Sequence, residues 1–249
     1  MKNRIDINAD VGERPETLAD GSEEKLISLI TSANIACGGH AGTIETMEEV
    51  VRLCMKHRVS IGAHPGYPDK KNFGRVEISI DDMALKRSLV EQIGSLCLVA
   101  DRMRARVSHV KPHGALYNLA ARNPEMAALI GSVVADTDKL LILIGLAESV
   151  ALQVWKKMGL RVLGEAFADR RYESDGTLRS RKHPDALITN TEESLEQVRR
   201  IAREGIIVAI DGSTIPIDAQ TICIHSDTPN SLAIAMAVRQ RLEFAGLLR

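Results

Sequence analysis

Short apolar runs alternate with longer amphipathic stretches along the whole of this 249-residue chain. The runs at 4–9, 32–36, 59–63, 107–111, 140–144, 161–166, 206–210 and 221–225 have the length of buried strands. The stretches at 22–30, 43–57, 81–104, 124–135, 147–158, 191–204 and 229–246 carry apolar residues at helical spacing, as Met47, Val50, Val51 and Cys54 show in 43–57. A strand followed by a helix, repeated seven or eight times, predicts an α/β fold closed as a single (β/α) barrel over 1–249. A doubly wound open sheet is the alternative. One stretch breaks the rhythm: 167–190, rich in Arg, Asp, Gly and Pro, is too polar and too long for an ordinary connection. It reads either as an active-site loop or as a solvated insertion.

Side chains alternate across a strand, so each barrel strand turns one set outward and the other into the lumen. In the first strand Ile5, Ile7 and Ala9 share a side, against Asp6, Asn8 and Asp10. The fourth sets Ser108, Val110 and Pro112 against His109, Lys111 and His113. His64 is in phase with Gly62 and Ser60, Glu165 with Asp169, and Thr221, Cys223, His225 and Asp227 with one another. Barrel interiors are normally filled by Val, Ile and Leu, and an unpartnered buried charge costs several kcal/mol. Polar parity in five strands therefore predicts a convergent polar pocket at the C-terminal strand ends. The competing reading is a lumen of mutually satisfied hydrogen bonds, which is favoured for His109, lower in its strand. His57 reads as a solvated helix end, and His183 carries little weight either way.

Composition narrows the function classes. With 32 Lys+Arg against 33 Asp+Glu the net charge is -1, which offers no footprint for nucleic acid or an anionic membrane. Three Phe, three Tyr and one Trp are too few for base-stacking platforms. The apolar run Leu140 to Ile144 falls far short of the ~20 residues of a membrane span. The segment Met1 to Asp6 lacks the apolar core of a secretory signal, so a soluble, cytoplasmic protein is expected. Four cysteines without a C-x-x-C pair read as reduced thiols, Cys37 included.

Gly-rich turns follow several strands: Cys37 to Gly42, His64 to Asp69, and Lys111 to Gly114. Such turns let backbone N–H groups approach a carboxylate or phosphoryl group. P-loop, dinucleotide-binding, nucleophile-elbow and zincin motifs are all absent from the sequence. Asp10, His64 and His113 are the trio to test for a divalent metal. Against it, His109 and His113 sit ~13 Å apart along a strand and could not share one ion, so no tightly bound metal is expected.

The segments Ile7 to Glu13, Thr31 to Gly42, Gly62 to Asp69 and Val110 to Asn118 closely resemble the LamB/YcsF family. Phe73-Gly74-Arg75, Glu165 to Arg170 with Tyr172, and His225 to Pro229 continue the resemblance across the chain. Departures fall at Ala9, where the family often has Cys, Gly39 (Phe), Val76 (Arg) and Ser226 (Gly).

The resemblance implies a distorted TIM-like barrel of seven or eight strands, like those of the glycoside hydrolase/deacetylase superfamily, and a 5-oxoprolinase reaction. In it the lactam of 5-oxo-L-proline opens to L-glutamate at the expense of ATP, with Mg²⁺ accompanying the nucleotide and two further subunits, B and C, taking part. An unactivated lactam is hard to open, and phosphorylating its oxygen makes a leaving group. Attack by water then needs a base, a cation to hold developing negative charge, and an acid for the departing nitrogen. Position and chemistry assign these roles to Asp10, Lys111 and His113 respectively. Asn8, Asn34, His40, His64, Glu165, Arg170, His225 and Asp227 are expected to position the substrate. A metal-dependent deacetylase-like amidohydrolase and a non-catalytic sugar- or amino-acid-binding module remain the alternatives.

Overall fold

The computed structural model describes residues 4–249; Met1, Lys2 and Asn3, on which the reading of the N-terminus partly rests, lie outside the described residues. The chain runs β1 (Asp6–Val11), α1 (Pro15–Ala19), α2 (Ser22–Ile27), β2 (Ser32–Ala36), α3 (Ile44–His57), β3 (Ser60–His64), α4 (Asp82–Arg102), β4 (Val107–Val110), α5 (Gly114–Arg122) and α6 (Pro124–Thr137). It continues through β5 (Ile142–Leu146), α7 (Val150–Lys157), β6 (Arg161–Phe167), α8 (Thr191–Glu204), β7 (Ile206–Val208), β8 (Thr214–Pro216), β9 (Thr221–Cys223) and α9 (Ser231–Phe244). Local chemistry sets several boundaries. Thr43 and Thr46 form a reciprocal capping box at the start of α3, and Asn123 caps α6 ahead of Pro124. Gly205, at φ 68°, ends α8 in the left-handed conformation that glycine adopts without penalty.

Parallel pairing in the order β1-β2-β3-β4-β5-β6-β9 closes a seven-stranded barrel. Asp10 stands beside Asn34, and closure pairs Glu165 with Thr221 and Asp6 with Thr221. The outward parity set of β1, Ile7 and Ala9, is fully buried under the helices. Among the described residues no helix is long and apolar enough to cross a membrane.

The expected strand at 206–210 is not part of the barrel. Ile206 to Val208 pairs antiparallel with Thr214 to Pro216, and the chain returns through Asp211 and Gly212 as a small hairpin outside it. An Ile-Ile-Val run satisfies a strand wherever a partner exists, and here the nearest partner lies only a few residues ahead. Stretch 167–190 carries two isolated antiparallel bridges, Arg170 with Leu187 and Tyr172 with Leu178, and lies across the C-terminal mouth of the barrel.

Candidate active site

The lumen is built in polar layers. Near its N-terminal end Asp6 accepts hydrogen bonds from Thr31 Oγ1 (2.6 Å), Ser32 Oγ (2.7 Å) and Thr221 Oγ1 (2.6 Å). Above it Asn8 Nδ2 donates to Glu165 Oε1 (2.9 Å), and Asn34 Nδ2 donates to Asn8 Oδ1 (2.7 Å). His109 Nε2 lies 3.0 Å from Asn34 Oδ1, and burial lowers its pKa to about 4, leaving a neutral ring. Gly62 makes room for that ring, since a Cβ there would fall 2.0 Å from His109 Nε2. Asn8, Asn34 and Glu165 are fully buried and bonded to one another, and none reaches the cavity wall. They brace Asp10 and Lys111 from one layer beneath the cavity wall, deeper than the substrate-positioning place expected of them. Alternation shows which residues point inward, while height along the lumen decides which of them meet solvent.

Over these layers opens a cavity of about 920 Å³, walled by Asp10, Glu13, His64, Lys111, His113, Arg170, His225 and Asp227. The start of α5 and residues 175–182 of the long polar stretch complete the wall. Lys111 is enclosed: its Nζ lies 2.9 Å from Asp10 Oδ1, 2.9 Å from Glu165 Oε1, 3.2 Å from Cys223 Sγ and 3.3 Å from Asn8 Oδ1. An ammonium has three N–H donors, and four acceptors already surround this one. Burial pushes its pKa down, but Asp10, Cys223 and Glu165 prevail and hold it well above the usual lysine range. Lys111 therefore neutralises two buried carboxylates and has no donor left over for a developing oxyanion, contrary to the role its position suggested. Burial pushes the Asp10 carboxyl up, but the Lys111 ammonium 2.9 Å away helps hold it well below the ordinary carboxylate range. It is ionised, with Oδ1 shared by Lys111 and Asn34 Nδ2 (2.9 Å) and Oδ2 turned toward His64.

Three histidines meet at one side of the mouth. His113 stacks on His40 with ring centroids 3.6 Å apart and planes 5° from parallel, and His64 stands edge-on to both. Donor atoms of Glu13, His40, His64 and His113 all lie within 4.8 Å of one another; Asp10, Cys223 and His225 form a second such group. His40, expected to position the substrate, is covered by His113 and lies behind the cavity wall in this structure. Burial, with His40 and His64 adding to it, pushes the pKa of His113 well below the imidazole range. Its Nε2 lies 2.9 Å from the carbonyl oxygen of Phe73, which can only accept. The single proton of the neutral ring is thus turned away from the cavity, and His113 is not placed to act as an acid.

The opposite wall offers a better proton carrier. Fully buried Asp169 accepts from the backbone N–H of His225 (3.0 Å), its Nδ1 (3.0 Å) and Thr228 Oγ1 (2.5 Å). This orients the imidazole so that Nε2 remains to exchange a proton in the cavity, the arrangement of a carboxylate-backed general acid–base. Arg170 is buried, with one bond from Nη2 to the Arg179 carbonyl (2.6 Å) and an Nε that has no partner among the described residues. Burial, then Arg181 nearby, lowers its pKa to about 10, as befits a cation short of counter-charge. Asp227, by contrast, accepts from Arg75 (2.6 Å) and Arg181 (2.8 Å) and fastens the long polar stretch to the rim.

The sequence reading missed Glu13, three residues beyond Asp10, and Tyr117, whose hydroxyl donates to Glu165 Oε2 (2.7 Å) from α5. A carboxylate just past a strand that ends in glycine was the available signal for Glu13. No pattern announced Tyr117, since α5 itself went unread. The departure at Gly39 has a local cause. A Cβ there would meet Gln92 Oε1 at 2.2 Å, and Gln92 bonds both the N–H (3.0 Å) and the carbonyl (2.9 Å) of Gly66. Gly39→Ala is expected to destabilise the protein by ~1–3 kcal/mol by dislodging this bridge. Adding Gln92→Ala should leave the double variant no less stable than Gln92→Ala alone, as melting temperatures would show.

Known proteins are similar to this chain in sequence and, where solved, in fold. A model of the LamB/YcsF family matches residues 5–248. A Chloroflexus aggregans protein, named as the A subunit of 5-oxoprolinase, is 45% identical over 243 residues, covering 98% of this chain and 96% of that one. A Neisseria meningitidis protein of the same name is 43% identical, covering 98% of each chain. The crystal structure of a lactam utilization protein from Thermus thermophilus superposes with a TM-score of 0.90 at 40% identity, again over 98% of each chain.

Proposed function

Because the chain belongs to the LamB/YcsF family, we propose that it is the lactam-opening subunit of an ATP-dependent 5-oxoprolinase, acting on 5-oxo-L-proline with subunits B and C. The observation that carries this reading is one cavity holding an under-compensated guanidinium, Arg170, together with ionised Asp10 and the Asp169-backed ring of His225. Arg170 binds the substrate carboxylate. Asp10 orients the attacking water and accepts its proton. His225 donates to the ring nitrogen as the C–N bond breaks, and the acyl phosphate so formed is hydrolysed by a second water to L-glutamate and inorganic phosphate. A cavity near the upper end of the ~300–1,000 Å³ of small-molecule sites has room for more than the lactam alone. Five-membered lactam and phosphoryl group would both fit, and cytoplasmic ATP would supply the latter.

The decisive assay is glutamate release from 5-oxo-L-proline and MgATP, by this chain alone and after assembly with its B and C subunits. Turnover is expected only from the assembly, since the chain lacks a recognisable nucleotide motif. No turnover with all three subunits would overturn the reading; equal turnover by the chain alone would overturn the division of labour. Within the assembly, Arg170→Met should raise KM for 5-oxo-L-proline by ~10–100-fold, the worth of a charged hydrogen bond. Its melting temperature should stay level or rise, because a poorly compensated buried cation is removed.

A further inference from the structure

The cluster of His64, His113 and Glu13 carries an inference that hydrogen-bond directions make on their own. His64 Nδ1 lies 2.8 Å from the carbonyl oxygen of Lys111, and His113 Nε2 lies 2.9 Å from that of Phe73. Carbonyl oxygens only accept, so each ring places a proton on the nitrogen that faces its carbonyl. The remaining nitrogens, His64 Nε2 and His113 Nδ1, then face each other 2.9 Å apart as two lone pairs. Glu13 Oε1 faces both, at 3.9 Å from His64 and 3.4 Å from His113, adding a third acceptor and a negative charge. Three convergent acceptors repel unless something positive lies between them.

We propose that His64 Nε2, His113 Nδ1 and Glu13 Oε1 form a three-ligand site for a transition-metal dication, with its open position facing the cavity. Bonds of ~2.0–2.2 Å to tetrahedral donors place those donors roughly 3.3–3.6 Å apart, close to the separations found here. Two imidazoles and a carboxylate suit Zn²⁺, Co²⁺ or Mn²⁺ far better than Mg²⁺, which takes oxygen ligands. The backbone carbonyls of Lys111 and Phe73 act as the outer partners that fix ligand tautomers in metal sites. His40 is excluded as a ligand because its ring lies flat on that of His113, so the two in-plane lone pairs cannot meet at one point. Instead its Nε2, 3.2 Å from Glu13 Oε1, positions the carboxylate. Asp10 borders the open position from the His64 side, 3.3 Å away, with its other oxygen held by Lys111. Glu13, which faces both rings, therefore replaces Asp10 in the trio that the sequence suggested. A bound ion would polarise a carbonyl or phosphoryl oxygen presented to the open position.

The test needs neither lactam nor ATP, so its outcome is separable from that of the 5-oxoprolinase assay. Metal-free full-length protein is titrated with Co²⁺, followed by visible absorption and calorimetry, and then with Zn²⁺ as competitor. Saturation at one equivalent per chain is expected, with zinc displacing cobalt. Glu13→Gln and His113→Gln should each weaken binding by more than the ~10–100-fold that loss of an outer partner costs. His183→Gln, at an exposed ring outside the cavity wall, should leave binding unchanged. Circular dichroism and melting of each metal-free variant check folding, and if His113→Gln fails to fold, Glu13→Gln decides. Absence of one-equivalent binding by the unmodified protein, or undiminished affinity in folded Glu13→Gln, would overturn the proposal and leave the two rings sharing a proton.

Discussion

Lys111→Met is expected to lower the stability of the protein by ~3–5 kcal/mol, the range for a buried ion pair stripped of one partner. The methionine keeps the length and the apolar stem, so the loss reports charge and donors rather than packing. Removing the ammonium strands Asp10 and Glu165 together, two buried carboxylates that each lie 2.9 Å from the same nitrogen. Had Lys111 faced the substrate, as its position in the sequence suggested, removing the charge would instead leave stability level or raise it. All donors of Lys111 are turned to protein acceptors, and that reverses the sign. Denaturant midpoints of the single variant and of Lys111→Met combined with Glu165→Gln check the account. The double variant should recover part of the loss, because a neutral amide no longer needs the cation. An unchanged midpoint in the single variant would show that Lys111 is not the counter-ion of this pair.

Asp10→Asn should leave most of the stability and remove turnover of the assembled enzyme by ~10²–10⁴-fold, the scale of a lost general base. The amide oxygen can still accept from Lys111 and Asn34, and Glu165 continues to balance the ammonium. What disappears is the negative charge on Oδ2, the oxygen turned toward His64 and the cavity. Measuring kcat/KM and melting temperature on one preparation separates the roles. Activity that falls only as far as the folded fraction falls would reduce Asp10 to a structural partner of Lys111.

Much of this architecture is a local property of the chain. Alternating short apolar runs and amphipathic stretches determine a helix-covered parallel sheet because each strand must bury both faces and each helix one, whereas closure into a barrel rather than a doubly wound open sheet is decided by the pairing of β1 with β9. Strand parity placed Asp10, His64, Lys111 and His113 inward, since a period of two admits no other assignment once one residue is inside. The resemblance in the Gly-rich turns named the family. Other features depend on partners distant in sequence. Whether Ile206 to Val208 joins the barrel depends on which edge its N–H groups find, and a hairpin partner was nearer. Whether Asn8, Asn34 and Glu165 touch substrate depends on how deep each lies in a lumen that neighbouring strands fill. The role of Lys111 rests on carboxylates 101 and 54 positions away in the chain, and that of Arg170 on the absence, among the described residues, of any carboxylate hydrogen-bonded to it. Direction was settled last: the carbonyls of Lys111 and Phe73 orient the two imidazoles of His64 and His113, and only three-dimensional closure of the barrel brings them to face each other. Periodicity along a chain determines which side of a strand a residue occupies, whereas charge balance and proton position belong to the set of groups that folding brings within hydrogen-bond reach.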